Sequence, residues 1–186
     1  MMVGGIDIVT LGATLMVAST PVLLAATGEL VAEKAGVLNL GVEGMMIMGA
    51  MGGFAAAVTT GSPVAGFVAG ALAGAALALL FGVLTQVFLS NQTATGLALT
   101  LFGLGLSALF GKGYEGVRPP PTGKVPFGPL ADPPVVGPIL FGHDWVVYLS
   151  LGLVAAVWGV LKYSRLGLVL RAVGENAGAA HALGYR

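Results

Sequence analysis

The chain has no cysteine and little charge. The first absence excludes disulfides and cysteine-ligated metal. The second is more telling. Only 9% of the 186 residues are charged, where a soluble domain carries roughly 25%. So little charge cannot cover a water-facing surface. The charges also cancel, with 8 Lys and Arg against 8 Asp and Glu, so no basic face for nucleic acid exists. The two histidines, His143 and His181, are far apart and lack a ligand pattern. They are expected at loops or membrane interfaces. No cofactor and no catalytic set is implied.

What remains is apolar. Hydrophobic residues make up 56% of the chain, and the mean hydropathy is +0.95. Such a composition predicts an integral membrane protein. A spanning helix needs roughly 20 mostly apolar residues. Suitable runs cover about residues 6–26, 36–58, 63–89, 93–111 and 145–162. The expected fold class is therefore an all-α polytopic bundle with five spans in residues 1–162. Alternating ten-residue segments are missing, which argues against a β-barrel. The first run has Asp7 and no Lys or Arg ahead of it, so it is expected to be a retained span and not a cleaved leader.

Residues 112–144 break the pattern. Eight of the ten prolines fall there, predicting a long extramembrane loop with some order. Trp145 and Tyr148 follow, residue types suited to a headgroup boundary. Placing the chain's end in the cytoplasm puts Lys34, Lys162, Arg165, Arg171 and Arg186 inside, against Lys112, Arg118 and Lys124 outside. This orientation obeys the positive-inside bias, with an external N-terminus and an external proline-rich loop.

Glycine is abundant, at 31 residues. In the third span Gly66, Gly70 and Gly74 recur every four residues, a spacing that lets helix backbones approach closely. Tight packing within the bundle is the expected use. Around the second span, Gly36, Gly41, Gly44 and Gly49 surround Asn39 and Glu43. These two polar residues stand four apart, so a continuous helix would carry them on one face. A carboxylate within the bilayer costs about 2.5–3.5 kcal/mol on insertion scales. Asn39 and Glu43 either hold two helices together by hydrogen bonds or line a solute path. Glycine-broken helices recur at such paths. Asn91 and Gln92 open the fourth span, and either cap it or line the same path.

Three pattern matches fail. "GLSALFGKG" at 105–113 has five residues between its glycines and lacks the magnesium-binding Ser or Thr of a phosphate loop. "GLGLSA" at 103–108 follows a span and not a strand, so it is no dinucleotide site. "NQT" at 91–93 would lie on the cytoplasmic side, away from glycosylation.

The last segment, "SRLGLVLRAVGENAGAAHALG" at 164–184, is amphipathic and too short to span. On composition alone it is an interfacial helix. Together with "GELVAEKAGVLNLGVEGMMIMGA" and "NQTATGLALTLFG" it resembles the permease subunits of bacterial ABC importers. The branch is the one handling nucleosides, simple sugars and, more distantly, branched-chain amino acids. Glu175, Ala179, Ala180 and Gly184 echo the acidic, alanine and glycine positions of the permease coupling loop. The resemblance implies that residues 163–186 form a cytoplasmic coupling segment, with Arg171, Glu175, Asn176, Ala179, Ala180 and Gly184 meeting an ATPase. It implies ABC ATPase subunits, a second permease subunit and an extracytoplasmic solute-binding protein as partners, with membrane lipid around the bundle. Such permeases run to about twice these spans, so a truncated permease of the bacterial plasma membrane is expected. A nucleoside is the first expected solute, a simple sugar the second. The rival expectation is an ion- or proton-coupled secondary transporter with Glu43 as coupling carboxylate. A non-transporting scaffold is the third.

Overall fold

Capping side chains and glycines set where each span begins and ends. The structure is a computed structural model describing residues 2, 3, 6–131, 133 and 135–185. Arg186, counted above for orientation, and Pro134 of the loop lie outside the described residues. After a short antiparallel pair, β1 (Met2–Val3) with β2 (Ile6–Asp7), the helices follow in order. They are α1 (Ile8–Lys34), α2 (Val42–Thr60), α3 (Pro63–Gly82), α4 (Gln92–Gly111), α5 (Trp145–Tyr163), α6 (Arg165–Glu175) and α7 (Ala177–Ala182). The first five, with α3 extended to Val87 and α4 to Tyr114, are long and apolar enough to cross a membrane. Each N-terminus except that of α2 is capped by a side chain accepting from the first turn: Asp7, Ser62, Asn91, Asp144, Ser164 and Asn176. Such caps satisfy backbone N–H groups that helix geometry leaves without partners.

Two boundaries differ from the sequence expectation. α1 does not stop near residue 26 but continues through Glu29 and Glu33 to Lys34. Glu, Leu, Ala and Lys are good helix formers, and here they outweigh the single glycine of the stretch, Gly28. Its 27 residues reach about 40 Å, beyond a hydrocarbon core of roughly 30 Å. Inside α1, Pro21 has no N–H to offer the Val17 carbonyl. The hydroxyls of Ser19 and Thr20 both donate to the neighbouring Met16 carbonyl, at 3.1 and 2.9 Å. The second difference is larger: α2 starts at Val42, not near residue 36. Gly36 has φ +85°, a left-handed conformation that ends a helix. Asn39 is therefore outside any helix, and the shared helix face expected of Asn39 and Glu43 does not exist.

The core belongs to α2, α3 and α4, where glycine replaces side-chain packing with backbone contact. A Cβ on Gly70 would come within 2.8 Å of the Gly49 carbonyl oxygen, and one on Gly66 within 2.8 Å of the Gly53 carbonyl oxygen. On the other side of α2, a Cβ on Gly103 of α4 would fall 2.6 Å from the Gly44 carbonyl oxygen. The glycines at 66 and 70 thus pack within the bundle, as their spacing suggested. Met45, Leu77, Phe81 and Leu99 form the buried cluster among these three helices. Large apolar side chains such as Leu72, Leu101 and Leu109 face outward, where lipid is their solvent.

α5 packs on α1 and on α6, and its Trp145 meets Phe67 of α3 edge to face at 5.0 Å. The described residues of the proline-rich stretch pack on one another and on α1. Phe127 sits between Phe141 and Tyr148, at 5.3 and 4.9 Å. The Tyr148 hydroxyl donates to the Leu140 carbonyl at 2.9 Å, and Ile139 lies against Gly12 of α1. His143 is buried there, with Nε2 2.7 Å from the Ile139 carbonyl oxygen. His181 is exposed on α7.

Candidate functional site: a broken link between the first two spans

Residues 35–41 connect α1 to α2 without helix, yet they do not hang free. Three neighbouring side chains hold them. The Leu38 N–H donates to Gln92 Oε1 at 2.8 Å, and the Asn39 N–H donates to Glu29 Oε1 at 3.1 Å. Thr100 Oγ1 donates to the Leu40 carbonyl at 3.1 Å. Asn39 turns the chain itself, its Oδ1 accepting from the Gly41 N–H at 2.9 Å, the local turn typical of Asn. Between these anchors Gly96 of α4 admits the backbone. A Cβ there would lie 2.8 Å from the Leu40 nitrogen and 2.9 Å from that of Gly41.

The anchors on α4 run from Gln92 to Thr100, eight residues or about 12 Å of helix. The link therefore follows α4 for about two turns. Irregular backbone beside a spanning helix is tolerated where protein or a water-filled cavity surrounds it. Here side chains satisfy the polar groups that a helix would have satisfied internally.

The sequence-expected path residues separate into two groups. Asn39 and Gln92 meet at the link. Asn91 caps α4, its Oδ1 accepting from the Ala94 N–H at 3.0 Å. Glu43 lies in the first turn of α2 and is exposed, with no hydrogen bond or ion pair among the described residues. The carboxylate that does face the link is Glu29. Its Oε1 holds Asn39, while its Oε2 is buried without a hydrogen-bond partner among the described residues. The sequence alone assigned Glu29 no role. The available signal was its place beside the helix formers Leu30, Ala32, Glu33 and Lys34, which carry α1 past the apolar stretch.

The non-spanning segment touches the same link. Gly174 of α6 abuts Lys34, Ala35 and Gly36, where a Cβ would run into the Lys34 carbonyl and approach the Gly36 nitrogen to 2.9 Å. α6 and α7 meet at Asn176, whose Oδ1 accepts from the Ala179 N–H at 2.9 Å. Glu175, Asn176, Ala179 and Gly184 are exposed, and Gly184 has φ +91°. Ala180 is only 3% exposed, so it packs inward. Arg171 is exposed beside α1 and α5, with its Nε donating to the Gly167 carbonyl at 3.2 Å.

The architecture defines a multi-pass membrane protein with a side-chain-anchored break between its first two spans. Residues 12–186 match the model of the family described as branched-chain amino acid transport system / permease component, and the chain belongs to that family. It is 43% identical over 171 residues to the putative glucose ABC transporter permease protein TsgC13 of Haloferax volcanii, covering 90% of this chain and 52% of that protein. It is 31% identical over 181 residues to the guanosine ABC transporter permease protein NupQ of Bacillus subtilis, covering 91% and 57% respectively. The nucleoside ABC transporter permease protein NupC of Lactococcus lactis is also 31% identical, with 92% and 58% covered. The chain thus spans about half the length of the curated relatives it matches. No solved structure matches it. Family and helices together make it a multi-pass protein of the plasma membrane.

Proposed function

We propose that the chain forms part of the solute path of an ATP-driven importer for a nucleoside or a simple sugar. The observation that carries this reading is the link 35–41: irregular backbone, anchored by Glu29, Gln92 and Thr100, in a chain of a permease family. Broken helices held by polar side chains recur at solute paths through membranes. Asn39, Gln92 and Glu29 form that polar surface. Asn91 fixes the start of α4, and Glu43 stands at the mouth. The names of the relatives, a putative glucose permease and a guanosine permease, support the solute class.

The orientation that follows from the basic residues puts the link and α6–α7 on the cytoplasmic side. There the exposed Glu175, Asn176, Ala179 and Gly184 would meet an ABC ATPase. A second permease subunit and an extracytoplasmic binding protein complete the assembly. Because Gly174 rests on the link, a push on α6 reaches residues 34–36 directly, and through them the path.

Radiolabelled uptake of nucleosides and glucose in cells carrying the complete transport system tests this reading. Glu29→Leu removes the acceptor for Asn39 and should lower uptake per folded molecule strongly. Glu29→Gln keeps an oxygen there and should lower it less. Wild-type uptake per molecule in Glu29→Leu would take the link out of the path. Uptake that survives loss of the ATPase but collapses on proton uncoupling would favour the secondary transporter, and Glu43→Gln would then be as harmful as Glu43→Leu.

A further inference from the structure

A groove of about 340 Å³ runs between α1, α5 and α6, with no α3 or α4 residue in its lining. Its wall includes Leu30 of α1 and Val154 and Val157 of α5. At one end three cations converge from three different helices: Lys34, Lys162 and Arg171. All three are exposed, and none forms an ion pair with a carboxylate among the described residues. Glu33, next to Lys34, and Glu175, one turn beyond Arg171, are the sequence neighbours able to do so, and both are exposed and unpaired among the described residues. Lys162 lies over Trp158, with Nζ 4.8 Å from the ring centroid. Arg171 uses only its Nε on the protein, at the Gly167 carbonyl.

Single Lys and Arg side chains near span ends ordinarily reach for the headgroup layer. That habit scatters cations around a bundle. It does not gather three of them, unpaired, at the mouth of one apolar groove. The pattern has two parts, a positive end and a hydrocarbon-like wall, and its complement has the same two parts. Basic pockets between spanning helices are suited to acidic lipid headgroups.

We propose that this groove binds an anionic phospholipid. Its phosphate lies among Lys34, Lys162 and Arg171, and an acyl chain lies along Leu30, Val154 and Val157. Arg171 then serves lipid and not the ATPase. The lipid would bridge α1, α5 and α6, the helices that share little glycine contact with the rest of the bundle.

The test is native mass spectrometry of the protein released from membranes, with phosphatidylglycerol and phosphatidylcholine supplied at equal concentration. The readout is bound lipid, which is independent of whether the solute path assigned above is correct. Phosphatidylglycerol should be retained in preference to phosphatidylcholine. The double variant Lys34→Gln with Lys162→Gln, both at exposed positions, should lower phosphatidylglycerol retention roughly tenfold. Val157→Trp should lower it without changing any charge, which separates a seated lipid from a headgroup attracted in passing. Equal retention of the two lipids, or unchanged retention in the double variant, would overturn the proposal. So would a benzoylphenylalanine placed at Val157 that crosslinks to protein and not to lipid, since another helix would then own the groove.

Discussion

The spanning helices of the α2–α3–α4 group and those of the α1–α5–α6 group pack in different ways. In the first, backbone meets backbone: Gly49 and Gly53 face Gly70 and Gly66, and Gly44 faces Gly103. In the second, α5 offers Gly152 and Gly159 with nothing within 4 Å of a would-be Cβ, and an apolar groove stays open beside them. Glycine count alone therefore says nothing about packing. What matters is whether a glycine faces another backbone. The first group is a set of fixed distances, since backbone atoms cannot move aside as side chains do. The second meets backbone to backbone only where α6 docks, at Gly167 and Gly174, and retains room between α1 and α5.

The sharpest way to break this contrast is at the α2–α4 seam. Gly103→Leu would drive a side chain into the Gly44 backbone. It should destabilise the bundle by about 3 kcal/mol, at the upper end for overpacking. The check is the yield of monodisperse protein from membranes, which should fall to a small fraction of wild type. Next comes Gly174, which with Gly167 of α6 is a glycine of the second group that does meet backbone. Gly174→Ala should lift α6 from residues 34–36 at a cost of about 1–2 kcal/mol. Hydrogen exchange should quicken in 165–175 and 34–41 while α3 stays protected. The smallest effect is expected at Gly159→Ala, where the space is open. Replacing a mid-helix glycine there should be neutral or stabilising by up to about 1 kcal/mol, read as an unchanged or slightly raised Tm. A large loss at Gly159 would mean that α5 has a close neighbour outside the described contacts, and the contrast would weaken.

The spans were legible in sequence because hydropathy and length decide them. The proline-rich loop stood out by composition, and the 66/70 spacing announced a close helix contact. The link was legible only as a cluster of glycines around Asn39. Periodicity assumes that a helix continues, and it carried the second span back to residue 36. The left-handed conformation at Gly36 and the turn made by Asn39 are decided by a few backbone angles, which no apolar pattern records. Glu29 was missed for a related reason. Its partner is ten residues away across a chain reversal, and only the fold brings the two together. Asn91 was correctly open between two roles, and the cap is the one the geometry displays. Gln92 looked like its twin but reaches across to Leu38 instead, because adjacent residues on a helix point about 100° apart.

Pro21 gives α1 a property that none of the other spanning helices shares. With one rung of the hydrogen-bond ladder missing beneath it, α1 bends there at less cost than elsewhere along its length. The eight residues from Val22 to Glu29 place the link's carboxylate about 12 Å from that point. Such a lever magnifies small angles. A rotation of about 5° at Pro21 would carry Glu29 sideways by about 1 Å, a third of the length of the hydrogen bond it makes to Asn39. A hinge halfway along the first span is thus placed where slight flexing decides whether the link is held or released.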